Sequence, residues 1–152
     1  MEYTLRASAE LPAPAGDVFD VITDIDHLPD WNLEIPRVVE SPGILEVGSE
    51  WVVEIHALKS RWNSRARVLD LDRAAGRFGY RSQSDDGNAS YAEWRWQLTP
   101  AGSGGDTSVS VEVDVRPRTF WRKWLLSRLR RTSLRKAMHE SLASLRQRVS
   151  VS

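Results

Sequence analysis

Seven tryptophans in 152 residues are the first feature of this sequence with chemical weight. Four of them, Trp51, Trp62, Trp94 and Trp96, fall in stretches that alternate apolar and polar residues. Indole rings along one face of a sheet offer a large, rigid contact surface at low entropy cost, which suits a flat or apolar guest. The plainer use of any one ring is to fill a core; the group as a whole favours a lined pocket. Phe78 and Tyr80 have the spacing to share the face of Trp94 and Trp96, and Val53 lies in step with Trp51. A pocket also needs a few polar groups to orient what it holds, and Ser64, Ser82 and the Tyr80 hydroxyl have the right parity. Arg65, Arg95 and His56 are the other polar candidates. Arg95 alternates with Trp94 and Trp96, and His56 with Trp51 and Val53, so both are expected on the opposite, wet face.

Other chemistries find less support. His27, His56 and His139 are far apart in sequence and form no arrangement with a nucleophile, so no catalytic residue is assigned. There is no cysteine, no HExxH and no Cys/His cluster, which leaves no metal site and no cofactor to expect. Gly102 to Gly105 precede a strand rather than a helix, the wrong context for a phosphate cradle.

The charge is unevenly spread. Residues 1–115 hold 10 Lys and Arg against 20 Asp and Glu, and residues 116–152 hold 11 against 1. Within that basic end, Arg118, Arg122, Lys123, Arg128, Arg130 and Arg131 alternate with Phe120, Trp121, Trp124 and leucines. A basic helix with an apolar face can lie on an anionic bilayer, so peripheral membrane contact is one expectation, beside a simple solvated face. The acidic remainder opposes binding to nucleic acid.

These residues need elements to hold them. Tyr3, Leu5, Ala7, Ala9 and Leu11 alternate with polar residues and predict a strand. From Pro14 the period changes to that of a helix near 14–24, with Pro14 at its first position and Asp17 in its first turn; Asp26 can cap a second short helix anchored by Trp31. Beyond Trp31 the sequence returns to strands, one ahead of the break that Pro42-Gly43 and Gly48 bracket and others over 50–58, 61–71, 77–83 and 89–99, with Asp72 to Gly76 and Asp86-Gly87 as turns, and then Val109, Val111, Val113 and Val115 alternate clearly. After Pro117 the pattern is helical to the end, and Leu125, Leu129, Leu134, Met138, Leu142, Leu145 and Val149 form a stripe. The step of five from Leu129 to Leu134 predicts a kink or two pieces near Arg130–Ser133. One strand, two short helices, six strands and one long helix leave a sheet whose apolar face only the last helix can cover, and a strongly twisted sheet curling over it leaves a space between.

The run from Pro14 to Trp31 resembles the opening signature of the SRPBCC superfamily, which includes START-related lipid-transfer domains and birch-pollen-allergen-like proteins. Gly48 before a strand, Arg77 to Tyr80, and the Thr107 to Val115 strand followed by an Arg/Leu-rich helix resemble its polyketide cyclase/dehydrase branch. The resemblance implies an α+β helix-grip fold over residues 1–152 as one domain: a curved seven-stranded antiparallel sheet around a long C-terminal helix. It implies fold more than chemistry, since members range from aromatase/cyclases to binding and transfer proteins.

The expected function is therefore to hold a small apolar or aromatic, lipid- or polyketide-like molecule between sheet and helix. Trp51, Val53, Trp62, Ser64, Phe78, Tyr80, Ser82, Trp94, Trp96, Leu125 and Leu129 are its expected contacts. An aromatase/cyclase using the same cavity is the first alternative, and a membrane-surface module the second. The start of the chain lacks the basic and apolar regions of a secretory leader, which with the absence of cysteine points to the cytoplasm. Either a monomer or a homodimer is compatible with the sequence.

Overall fold

The computed structural model describes residues 2–85, 90–102, 105–116 and 123–151, with side chains of the last segment placed from 130 to 150. Seven strands form a single antiparallel sheet: β1 (Tyr3–Leu11), β2 (Arg37–Glu40), β3 (Glu50–Ala57), β4 (Ser60–Asp72), β5 (Arg77–Ser84), β6 (Tyr91–Ala101) and β7 (Asp106–Arg116). Their order across the sheet is β1-β7-β6-β5-β4-β3-β2, so β3 to β7 run as a meander while β1 returns beside β7. Helix α1 (Ala15–Ile22) and a 3-10 helix (Ile25–Asp30) carry the chain from β1 to the far edge at β2, and α2 (Lys123–Val151) closes the fold. The helix-grip architecture expected from the sequence is the one found.

Local chemistry explains where the elements stop. Pro14 is extended and caps α1 from just outside it, one position earlier than expected, and Asp17 lies in the first turn against the positive helix end. Asp24, not Asp26, precedes the 3-10 helix, because the α1 cap at Thr23 leaves one residue before the next turn begins. Pro29 sits inside this short helix, and Trp31 ends it with its backbone N–H donating to the Leu28 carbonyl. Gly76 turns β4 into β5 with φ +69°; a Cβ there would meet the Leu98 carbonyl oxygen at 2.3 Å, so no other residue fits.

Helix α2 runs unbroken from Lys123 to Val151, so the division into two pieces near Arg130–Ser133 is not found. Arg130 lies four residues before Leu134 and occupies the stripe position that the step of five left open. Leu134, Met138, Leu142, Leu145 and Val149 are buried, as are Leu5, Leu11, Val109, Val111 and Val113 on the facing strands and Val18 and Ile22 on α1. Burying a side chain of this size contributes about 1.5–3 kcal/mol. Thr107, polar yet fully buried in this region, donates its hydroxyl to the Ala13 carbonyl at 2.6 Å.

Candidate ligand-binding site

The inward face of β3 to β6 is set by register. Trp51 pairs with Ala66, Val53 with Ser64 and Ile55 with Trp62; Val68 pairs with Tyr80 and Ala66 with Ser82; Phe78 pairs with Trp96 and Tyr80 with Trp94. One irregularity, between Val68 and Asp70, brings Leu71 opposite Phe78 without disturbing the parity of the residues before it. A ladder of rings results. Trp51 stacks on Phe78 at 6.2 Å between centroids and meets Tyr80 edge-on at 5.1 Å, and Tyr80 stacks on Trp94 at 6.0 Å with only 14° between planes.

Among the described residues, these rings leave a space on the side of α2. A hollow of about 250 Å³ lies between them and a second wall formed by Ile22, Ile25, Leu28, Trp31, Ile35 and Leu134. Trp51, Val53, Trp62, Ser64, Phe78, Tyr80, Ser82, Trp94 and Trp96 all line it. Leu125 and Leu129, expected beside them, have side chains outside the described residues. Ile55, Glu34 and Asn32 line the hollow as well, beyond the contacts expected from the sequence; Ile55 shares the parity of Trp51 and Val53, so its signal is present there.

Several polar groups line the wall among the described residues, with Ser64, Ser82, Ser84 and Ser90 beside the Tyr80 hydroxyl and Gln83. The Trp94 indole N–H donates to Ser82 Oγ at 3.0 Å. Burial pushes the Tyr80 phenol up to about 12, with the Trp96 indole N–H acting in the opposite direction, so this hydroxyl keeps its proton at any physiological pH. Ser64 is buried. Trp31 meets Trp96 at right angles, 5.8 Å between centroids, and its own buried indole N–H has no acceptor among the described residues.

Among the described residues, the wall carries one pair of formal charges. Arg130 donates to both carboxylate oxygens of Glu34, at 2.6 and 2.9 Å, and the two side chains are 24% and 14% exposed. Its guanidinium also stands 5.5 Å from the Trp62 ring centroid. Arg130, named for contact with an anionic surface, is thus turned to the pocket wall. Arg131 is exposed near the Tyr3 ring. Arg118 and Arg122, and the side chains of Lys123 and Arg128, lie outside the described residues.

The remaining polar candidates are on the other face of the sheet. Arg95 pairs with Glu112 and with Asp114, the latter at 2.9 Å, and Arg65 pairs with Asp85 at 3.0 Å. His27, His56 and His139 are exposed and apart from the hollow. Among the described residues, no group of three His, Asp or Glu side chains could hold a metal ion, and no helix is long and apolar enough to cross a membrane.

A family model described as polyketide cyclase / dehydrase and lipid transport matches residues 3–150. No curated protein matches the sequence. Among solved structures, the Zhui aromatase/cyclase from Streptomyces sp. R1128 superposes with a TM-score of 0.83 at 13% identity, over 99% of this chain and 94% of that one. TTHA0849 from Thermus thermophilus gives 0.78 at 20% identity over 98% of both chains, and Ara h 8.0201 gives 0.71 at 14% over 100% of both. At these identities the likeness is one of fold.

Proposed function

Because the chain belongs to the polyketide cyclase / dehydrase and lipid transport family, we propose that it holds a small apolar or aromatic molecule in the hollow between β3–β6 and α2. The observation that carries this reading is the ring-lined space itself. Close-packed interiors leave few voids larger than a water molecule, and here about 250 Å³ stands against Trp51, Tyr80 and Trp94. That volume is just below the usual range of about 300–1,000 Å³ for ligand pockets, so the guest is small. Expected contacts are Trp51, Val53, Trp62, Ser64, Phe78, Tyr80, Ser82, Trp94 and Trp96.

Binding without turnover fits the wall better than an aromatase/cyclase does. A general base must sit within reach of the proton it takes, with a pKa near the working pH. The described lining offers Glu34, whose carboxylate is held by Arg130, and the Tyr80 phenol, which can give a proton but not take one. No histidine lines the hollow among the described residues.

The test is to purify the protein, denature it and search the extract by mass spectrometry. A recurring apolar compound, released at up to one per chain, is the expected result. Repeated extracts without one, together with no saturable binding of a neutral apolar dye, would sink the reading.

A further inference from the structure

Trp31 is packed but not satisfied. The residue is 2% exposed, and among the described residues its indole Nε1 is the buried side-chain nitrogen without a hydrogen-bond partner. A buried donor that has given up water and gained no acceptor costs free energy, and native interiors seldom keep one. Trp96 meets the indole edge-on at 5.8 Å and has no lone pair to offer it.

A recess of about 30 Å³ adjoins this ring, bounded by Trp31, Asn32 and Glu34 on one side and by Leu134, Met138 and Ser141 of α2 on another. A water molecule fits a cavity of about 10–15 Å³ or more, whereas ligand pockets run to about 300–1,000 Å³. The recess therefore admits water and no organic guest.

The polar groups around it match what an internal water requires, which is about three hydrogen bonds. Ser141, 7% exposed, accepts the Leu33 N–H at a long 3.4 Å and keeps its own proton to give. Arg130 takes one lone pair from each Glu34 carboxylate oxygen, and the Glu34 N–H takes one from Asn32 Oδ1 at 3.2 Å, so both residues retain acceptor capacity. Donors and acceptors thus border a space of molecular size for water.

We propose that the recess is a site for one internal water molecule, which accepts from Trp31 and Ser141, donates to Glu34 or Asn32, and so ties the second wall of the hollow to α2. The site is separate from that of any guest and is filled with or without one.

Water-to-protein cross-relaxation in the nitrogen-15-labelled protein is the test, with the Trp31 indole signal assigned as the one lost in Trp31→Phe. That N–H should show a cross peak to a water that stays bound longer than the molecule takes to tumble. The peak should persist when the apolar dye N-phenylnaphthylamine is added to saturation, so the result does not depend on the hollow being a ligand site. Deuterium relaxation dispersion, which counts long-lived waters, should fall by about one in both Trp31→Phe and Ser141→Ala. Ser141→Ala is the smaller change and serves if Trp31→Phe loosens the wall. No water cross peak at the Trp31 N–H, a count unchanged in both variants, or a peak removed by the dye would each overturn the proposal.

Discussion

One face of one sheet is built in two ways. Over β1 and β7 the inward residues include Leu5, Leu11, Val109, Val111 and Val113, each at most 2% exposed and in one buried cluster with Leu142 and Leu145 of α2. Over β4 to β6 the inward residues are mostly rings and hydroxyls, and Trp62, Tyr80, Ser82 and Trp94 are only partly buried. The branched aliphatics share one buried cluster with the leucine stripe, whereas the rings brace each other at 5–6 Å, with Trp96 against Trp31 of the second wall, and border the hollow beside Trp51, Tyr80 and Trp94. Stability is therefore concentrated at one end of the sheet and free space at the other, which lets a pocket exist without a loose core.

The largest effect should come from breaking the packed half. Leu145→Ala removes a fully buried side chain and should cost about 2–5 kcal/mol in urea denaturation, while the folded fraction still binds a neutral dye such as N-phenylnaphthylamine. The opposite separation is expected at Trp94. Trp94→Leu should weaken dye binding by roughly tenfold, equivalent to ~1.4 kcal/mol, with a smaller loss of stability, because the ring is only partly buried and lines the hollow. Equal losses in both assays for both variants would erase the distinction between the halves.

Part of this contrast is legible in the sequence. The alternation of Trp94 and Trp96 with Arg95, and of Val109 to Val115 with Ser110, Glu112 and Asp114, specifies which side chains face inward, because a strand's period of two leaves little choice when one face is wet. Arg130 reads as a surface cation when judged by its basic neighbours in sequence. Its position four residues before Leu134 carries the contrary signal, since i and i+4 share a helix face. Glu34 gives no such signal: it lies in an irregular segment with no period, and only its partner on α2 gives it a role.

The β3–β4 turn is illegible for a different reason. Leu58 and Lys59 both adopt left-handed conformations, φ 51° and 61°, where asparagine and glycine are the usual residues, so their identities carry no turn signal. Leu58→Asn with Lys59→Gly should relieve this strain and raise stability by about 1 kcal/mol in thermal or urea unfolding, without changing dye affinity.

The smallest expected effect is on the outer face. Arg95 holds the Glu112 carboxyl below its ordinary value, and the Thr4 hydroxyl, with Arg95 after it, does the same for Asp114. A carboxyl depressed on folding contributes stability that is present above its unfolded value and is lost as pH falls. Arg95→Met should therefore cost a few tenths of a kcal/mol at neutral pH and nothing once both carboxyls are protonated, as read from urea midpoints down to acid pH. A loss that persists in acid would mean that Arg95 acts through packing.

The central claim is that the space beside the rings is where a guest sits, and filling it is the most direct test. N-phenylnaphthylamine should bind the native protein one to one, with energy transfer from the tryptophans. Ser64→Phe should occupy the hollow and abolish that saturable signal while the chain still unfolds cooperatively. A folded Ser64→Phe variant that binds the dye as tightly as the native protein would contradict the account.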